Sequence, residues 1–312
     1  MNSQPSETTH DAQGPASIRV QSVVYRLAPE AMERTLTYLD NAARLGMGDG
    51  SVREVMVSYG DCSPEPTINE AMLKAWRERF RHLRTIDYTF FDANLGSAAG
   101  HNRLLEKADS DLVMILNPDV LASPTLFIEL SHALRRPGVG LVEAKQIPIE
   151  HPKDFDPETG ETSWASTACA MGPLEVFRQI NGFDADSFFL YGDDVDFSWR
   201  VRLAGHKVVH QSSAFVFHDK RLSHEGRWMS SAAEQFYSAE ATLLLTYKWS
   251  RSDLTAKYLK IFSSLKESVH EKVAIAFEKR REAGRLPVQL DPDHKVGQFI
   301  NGAYAQHRFP AR

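Results

Sequence analysis

The stretch DLVMILN, residues 111–117, decides the fold. Leu112 to Leu116 form an unbroken apolar run with no polar face. That pattern marks a strand covered on both sides, as in a parallel sheet flanked by helices. Pro118 cannot donate to a sheet ladder, so the strand stops there and Asp119 is delivered to its carboxyl end. Working upstream, a loop with two glycines leads through NRLLEKA, a helical segment, into this strand. TIDYTFFDA (85–93), VREVMVSY (52–59) and IRVQSVVY (18–25) are rich in β-branched and aromatic residues and predict three more strands. Between them lie a predicted helix over 67–82 and another opened by Pro29, a favoured place for proline. Met32, Leu36, Leu39 and Ala43 recur behind Pro29 at helical spacing. This β-α alternation predicts a layered α/β domain with a mostly parallel, right-handed sheet. Such sheets bind ligands at the carboxyl ends of their strands, so the loops at 25–30, 59–66, 93–100 and 117–123 are expected to share one edge.

Downstream the pattern changes. Residues 137–165 are rich in Pro, Gly, Asp, Glu and Ser and give few helical signals. A helix over 173–180 precedes the turn NGFD. FFLYGDDVDFSWRVRLAGHKVV then predicts an extended segment, an acidic turn, a helix ending at Gly205 and a strand. AFVFHDK (214–220) predicts a further short strand ending in His218, and beyond about residue 225 the chain turns helical.

The chain has 312 residues, room for about two domains or one large domain with extensions. Its net charge of −5 argues against a general nucleic-acid binder, which is usually strongly basic. No run approaches the ~18 apolar residues that span a bilayer. Residues 1–17 carry no Lys or Arg and no apolar segment, so they are expected to be a disordered leader and not a secretory signal. Cys62 and Cys169 alone supply neither a disulfide framework nor a thiolate zinc site, and a reducing cytoplasm is the simplest setting.

Four constellations stand out. In Asn117-Pro118-Asp119, a carboxylate at a strand end can hold a divalent cation that bridges a diphosphate, although a turn acid beside a proline is the plainer account of the tripeptide alone. Asp193, Asp194 and Asp196 crowd three carboxylates into an expected helix start. One acid is a sufficient cap, but crowded carboxylates raise one another's pKa, a condition for a general base. His218 closes a strand, where a lone histidine is usually structural unless that strand lies beside Asp119. The loop 94–102, with Asn94, Gly96, Gly100 and Asn102, opens a helix with small residues that let a ligand approach the backbone, without a GxGxxG or P-loop pattern.

In order and spacing, NLGSAAGHNRLLEKADSDLVMILNPDV (94–120), TACAMGPLEVFRQINGFDADSFFLYGDDVDFSWRVRLAGHKVV (167–209) and FVFH (215–218) resemble glycosyltransferase family 2. The similarity is to its bacterial rhamnosyltransferase-like and galactofuranosyltransferase-like branch, and it covers roughly residues 18–220. It implies a GT-A fold, an α/β nucleotide-diphospho-sugar transferase sheet, with a nucleotide-binding half over 18–123 and an acceptor-binding half over 124–224. Residues 225–312 would then be a helical C-terminal extension. The resemblance also implies inverting transfer of rhamnose or a similar hexose from a UDP- or dTDP-linked donor to a bacterial surface glycan or lipid-linked acceptor. The family's Asp-X-Asp matches Asn117-Pro118-Asp119, so Asp119 carries the metal-binding carboxylate, and the late histidine ligand matches His218. The metal would be Mn²⁺ or Mg²⁺, and an imidazole ligand tilts the choice toward Mn²⁺. The family's acidic pair matches Asp193-Asp194, with Asp194 the catalytic base and Asp193 beside it. Asp196 would cap the helix or pair with Arg200, with Trp199 packing behind.

The chain departs from the family pattern after the second strand, where Tyr59-Gly60-Asp61-Cys62-Ser63 replaces Asp-Asn-X-Ser and leaves Asp61 as the acid near the base. Arg26, Asp61, Asn94, Gly96, Gly100, Asn102 and Asn117 are the expected nucleotide-pocket residues. Two rivals are a catalytically silent GT-A subunit and a sugar nucleotidyltransferase. The second would need a Gly-rich basic loop where VVYRLAPE stands. Finally, Tyr258, Phe262, Leu265, Val269, Val273 and Ala276 form a helical stripe surrounded by Lys260, Lys266, Lys272, Lys279, Arg280 and Arg281. The stripe is expected to pack on the catalytic domain or on a second copy in a homo-oligomer. The sharper alternative is peripheral contact with the cytoplasmic face of an anionic membrane.

Overall fold

The computed structural model describes residues 14–219 and 231–305. Its first half follows the expected alternation: β1 (Ala16–Val24), α1 (Pro29–Asp49), β2 (Val52–Asp61), α2 (Glu70–Arg79), β3 (Leu83–Phe90), α3 (Gly96–Leu105) and β4 (Leu112–Leu116). Strand β1 begins at Ala16, two residues inside the expected leader, because Ser17 is tied to Asp111 by its backbone N–H and its hydroxyl, each at 2.8 Å. Residues 1–13 of that leader lie outside the described residues.

The second half comprises β5 (Val120–Ala122), α4 (Leu126–Leu134), β6 (Val139–Ile147), β7 (Cys169–Pro173), α5 (Leu174–Gln179), α6 (Asp193–Leu203), β8 (Lys207–His218), α7 (Ala232–Lys248), α8 (Ser252–Ser264) and α9 (Val269–Glu282). Three differences from the sequence reading have physical causes. The Pro- and Gly-rich stretch contains β6, whose Gly140–Ala144 core is fully inside while Lys145 and Ile147 towards its end are exposed. The two strands expected over 206–220 are one, β8. A bulge where Ala144 and Lys145 oppose Gln211 and Phe215 breaks its alternation and hides its continuity. The C-terminal stripe spans two helices, with Ser268 capping α9 through its side chain.

All eight strands form one sheet in the order β3-β2-β1-β4-β7-β6-β8-β5. Strands β3, β2, β1 and β4 run parallel, β7 runs against β4 and β6, and β8 runs parallel to β6. One face is filled by α1, α2 and α4 with Leu36, Trp76 and Phe127, and the other by α3, α5 and α6 with Ala98, Phe177 and Phe197. A further apolar cluster joins α7, α8 and α9 to the side of α6 that carries Val195 and Trp199. Helix α6 is thus wedged between two cores. Its C-terminal end feeds the start of β8, so its N-terminal end returns to the carboxyl edge of the parallel strands.

Candidate active site

The carboxyl edge gathers three groups of side chains. The first is the Asp119–His218 pair. Val120 lies opposite His218 in the antiparallel β5–β8 pairing, which brings a residue just after β4 and the last residue of β8 together across 99 positions of sequence. His218 Nε2 stands 3.4 Å from Asp119 Oδ1, and Nδ1 lies 2.7 Å from Gln146 Oε1. Two ligands in adjacent positions of an octahedral Mg²⁺-type site lie about 3 Å apart, so this oxygen–nitrogen pair fits a divalent cation. Among the described residues no group of three or more His, Cys, Asp or Glu side chains could hold a metal ion.

The second group surrounds Asp61, the last residue of β2. Its carboxylate is fully buried and accepts from the backbone N–H of Ser63 at 2.7 Å, from that of Thr67 at 2.9 Å, and from the Tyr88 hydroxyl. Burial pushes the carboxyl up, but the hydrogen bonds from Ser63, Thr67 and Tyr88 outweigh it and hold the pKa below the usual carboxylate range. Burial, and then the hydrogen bond to Asp61, pushes the Tyr88 hydroxyl up to about 12. Arg26 is exposed beside this knot with φ 52°, and its N–H donates to Ser63 Oγ at 2.7 Å.

The third group joins α3, the acidic turn and α7. Gly96 has φ 73°, and a Cβ there would stand 2.3 Å from the Phe189 carbonyl oxygen, which accepts from Ser97 N–H at 2.9 Å. Three residues after Phe189, Gly192 caps α6 in the left-handed region, and a Cβ on it would stand 2.6 Å from Ala241 Cβ of α7. The only side chain that fits both positions is hydrogen. They lock the start of α6, with Asp193 and Asp194 nearly buried, between α3 and α7.

The remaining expected pocket residues divide by what they touch. Asn94 is exposed, with Oδ1 3.3 Å from Gly96 N–H. Half-buried Asn117 is fixed through its backbone to Ala168 and Val120. Gly100 lies against Val23 of β1. Asn102 directs its side chain away from the strand ends: Nδ2 donates to the Phe183 carbonyl at 2.7 Å and Oδ1 accepts from Phe183 N–H at 2.8 Å. The amide thereby clamps the turn that leads into the acidic segment.

Asp196 is wholly buried and pairs with Arg200 Nε at 2.8 Å, as the four-residue spacing predicts. It also accepts from Lys248 Nζ at 2.7 Å and Trp249 Nε1 at 3.1 Å, both at the end of α7. Trp199 packs edge-on to Trp249, with ring centres 5.2 Å apart. A further buried carboxylate, Glu143 on β6, has no counterpart in the sequence reading. It pairs with Lys153 and with His210 Nδ1 and accepts from Ser166 N–H at 2.6 Å, pinning the 148–168 loop back onto the sheet. The partners of Glu143, like Tyr88 and Gln146, come from distant stretches with no local motif, so only the pairing of strands could have located them.

No family model matches the chain. Over 69 residues it is 35% identical to an N-acetylglucosaminyl-diphospho-decaprenol L-rhamnosyltransferase of Mycobacterium tuberculosis, a stretch covering 22% of each protein. The chain thus matches about a fifth of the length of its curated relatives. Among solved structures, GalNAc-T7 with UDP, GalNAc and Mn²⁺ superposes with TM-score 0.60 at 12% identity, covering 88% of this chain and 56% of that one. Residues 1–349 of TarS from S. aureus give 0.57 at 13%, covering 87% and 81%. The mannosyltransferase PcManGT from Pyrobaculum calidifontis, in complex with GDP-Man and Mn²⁺, gives 0.53 at 16%, covering 73% and 62%. The sheet, its flanking helices and these superpositions give the chain the GT-A fold of the nucleotide-sugar glycosyltransferases.

Proposed function

We propose that this chain is an inverting, metal-dependent glycosyltransferase of family 2. It transfers rhamnose or a similar hexose from a nucleotide-diphospho-sugar to a hydroxyl of a bacterial glycan or lipid-linked acceptor. The observation that carries the proposal is the meeting of Asp119 and His218 at 3.4 Å, on the edge where the acidic start of α6 also lies. The Mn²⁺ in the PcManGT and GalNAc-T7 structures supports a divalent cation at that pair, and the rhamnosyltransferase stretch supports the sugar and the lipid-linked acceptor. When bound, the cation supplies positive charge to the leaving diphosphate.

The chain's own residues do the rest. Asp119 and His218 supply the protein ligands. The loop from Asn94 to Gly96, the Asp61 knot and Arg26 line the nucleotide's side of the edge. Asp194 takes the proton of the acceptor hydroxyl as its oxygen attacks the anomeric carbon, while the bond from that carbon to the diphosphate oxygen breaks on the opposite face. A single displacement inverts the centre and needs one base. Asp193 faces the acceptor side of the same turn.

A thermal-shift screen of nucleotide sugars with and without Mn²⁺ tests the proposal, because a ligand that binds only the folded state raises its melting temperature. The expected result is a Mn²⁺-dependent rise with one donor that Asp119→Ala abolishes and His218→Ala weakens. Asp194→Asn keeps the rise while transfer falls by ~10²–10⁴. Wild-type donor and Mn²⁺ binding by both the Asp119 and the His218 variants removes the assigned metal site. Normal transfer by the Asp194 variant removes the assigned base.

A further inference from the structure

We propose that Gln146 is a positioning residue for the Asp119–His218 pair, and that its side-chain carbonyl holds the imidazole as the Nδ1–H tautomer so that the Nε2 lone pair faces Asp119. The inference rests on the reading of that pair as ligands of a divalent cation. Gln146 is the penultimate residue of β6 and lies opposite Val216 in β8, two positions before His218. It is 2% exposed, and its Oε1 lies 2.7 Å from His218 Nδ1. Its backbone N–H donates to Glu150 Oε2 at 2.7 Å, so the loop after β6 fixes the main chain behind the amide.

The chemistry depends on which end of the amide meets the ring. A neutral imidazole carries one proton, and the nitrogen without it is the only one that can ligate. With the carbonyl on Nδ1, that nitrogen is the donor and Nε2 is left with its lone pair. At 3.4 Å, Nε2 lies beyond a normal hydrogen bond to Asp119, so no proton is required between them. With the amide reversed, its NH₂ would meet Nδ1, the ring proton would move to Nε2, and the cation-facing lone pair would disappear. The arrangement present leaves Gln146 Nε2 buried with no hydrogen-bond partner among the described residues. Burying an unpaired amide N–H costs free energy, and the cost is tolerated here in the orientation that makes Nε2 a ligand. A partner on the outer nitrogen of a ligating histidine sets both ring orientation and basicity.

Selective ¹⁵N-histidine labelling reads the tautomer directly in metal-free protein at alkaline pH, the His218 signals being those lost in a His218→Gln variant. Wild type should show Nδ1–H. Gln146→Met, similar in length but without an acceptor, should lose that preference, and Gln146→Glu, whose carboxylate still accepts from Nδ1, should keep it. Mn²⁺ affinity should fall by ~10–100-fold in the Met variant and recover in the Glu variant, and the Mn²⁺ needed for half-maximal transfer should follow. An Nε2–H ring in wild type, or a Met variant with unchanged spectrum and affinity, overturns the proposal. The tautomer is read with neither donor nor metal present. A chain with the expected ring but no sugar transfer therefore sinks the proposed function alone, and a transferring chain with the opposite ring sinks this inference alone.

Discussion

His101, on α3 one residue beyond Gly100, shows how a single buried side chain ties stability to pH. It is 3% exposed, its ring lies 5.7 Å from that of Phe183, and its Nδ1 has no hydrogen-bond partner among the described residues. Burial pushes the imidazole down to about 3, because the charged form cannot be solvated there. The folded value therefore lies below the ~6.5 of an unfolded histidine, and between the two the unfolded chain binds a proton that the fold refuses. Stability contributed by this residue is whole above about 6.5 and falls as the pH drops toward about 3, by up to ~1.4 kcal/mol per unit. Urea denaturation across this range should show wild type losing more stability on acidification than His101→Leu, and parallel curves would show that the imidazole is not held neutral. Asp61 has the same sign, since its hydrogen bonds hold it ionised below the usual carboxylate range and its contribution is likewise lost as pH falls through its lowered pKa. At this scale Asp119 and His218 on their own read as a turn acid beside a proline and a strand-end histidine; only the resemblance put them together, and the β5–β8 pairing is what brings them to 3.4 Å. Gln146 was not legible, because its role depends on a partner 72 positions away.

Among elements, α6 carries the acidic turn and is held by more than its own helical bonds. The sequence pairs Asp196 with Arg200, but not with Lys248 and Trp249 of α7, because a four-residue spacing is local and a helix–helix contact is not. The N-cap of α6 is Gly192, so Asp196 is not a capping residue whose loss would cost only ~1 kcal/mol. Asp196→Asn leaves Arg200 and the buried Lys248 facing a neutral amide, with Asp184 as the remaining carboxylate on Lys248. Breaking a buried pair from one side typically costs ~3–5 kcal/mol. Chemical denaturation of this variant checks it, and a loss under 1 kcal/mol would mean the pairs do not hold α6 to α7. Of the elements that escaped the sequence, α4, β5 and β6, the last has a visible cause. Gly138, Gly140 and Pro148 flank or interrupt short apolar runs, and β6 exposes Lys145 and Ile147 at its edge, so neither helical nor strand periodicity builds up.

On the scale of the whole molecule, the layered sheet and its carboxyl edge were legible because alternating strands and helices leave few topologies. What the C-terminal helices pack against was not, because an amphipathic stripe looks the same whether it meets protein or lipid. The structure places Phe262 and Val273 in the core shared with α6 and α7, with Tyr258, Leu265, Val269 and Ala276 half-buried. No helix among the described residues is long and apolar enough to cross a membrane. Lys260, Lys266, Lys272 and Lys279 remain exposed in a segment, 248–285, whose net charge is +5 while the rest of the chain carries −10. With Phe262 and Val273 committed to the core, the contact that the exposed lysines would make with a membrane is electrostatic, at ~1 kcal/mol per lysine near an anionic surface. Co-sedimentation should therefore show binding to vesicles rich in anionic lipid at low salt, and none to neutral vesicles. Raising the salt should release the protein, because the Debye length shrinks from ~10 Å at 0.1 M to ~3 Å at 1 M. Replacing the four lysines by glutamine should abolish binding without altering the melting temperature. Binding that survives high salt would require apolar insertion and so a stripe not held in the core, and no binding at low salt would remove membrane contact through these helices.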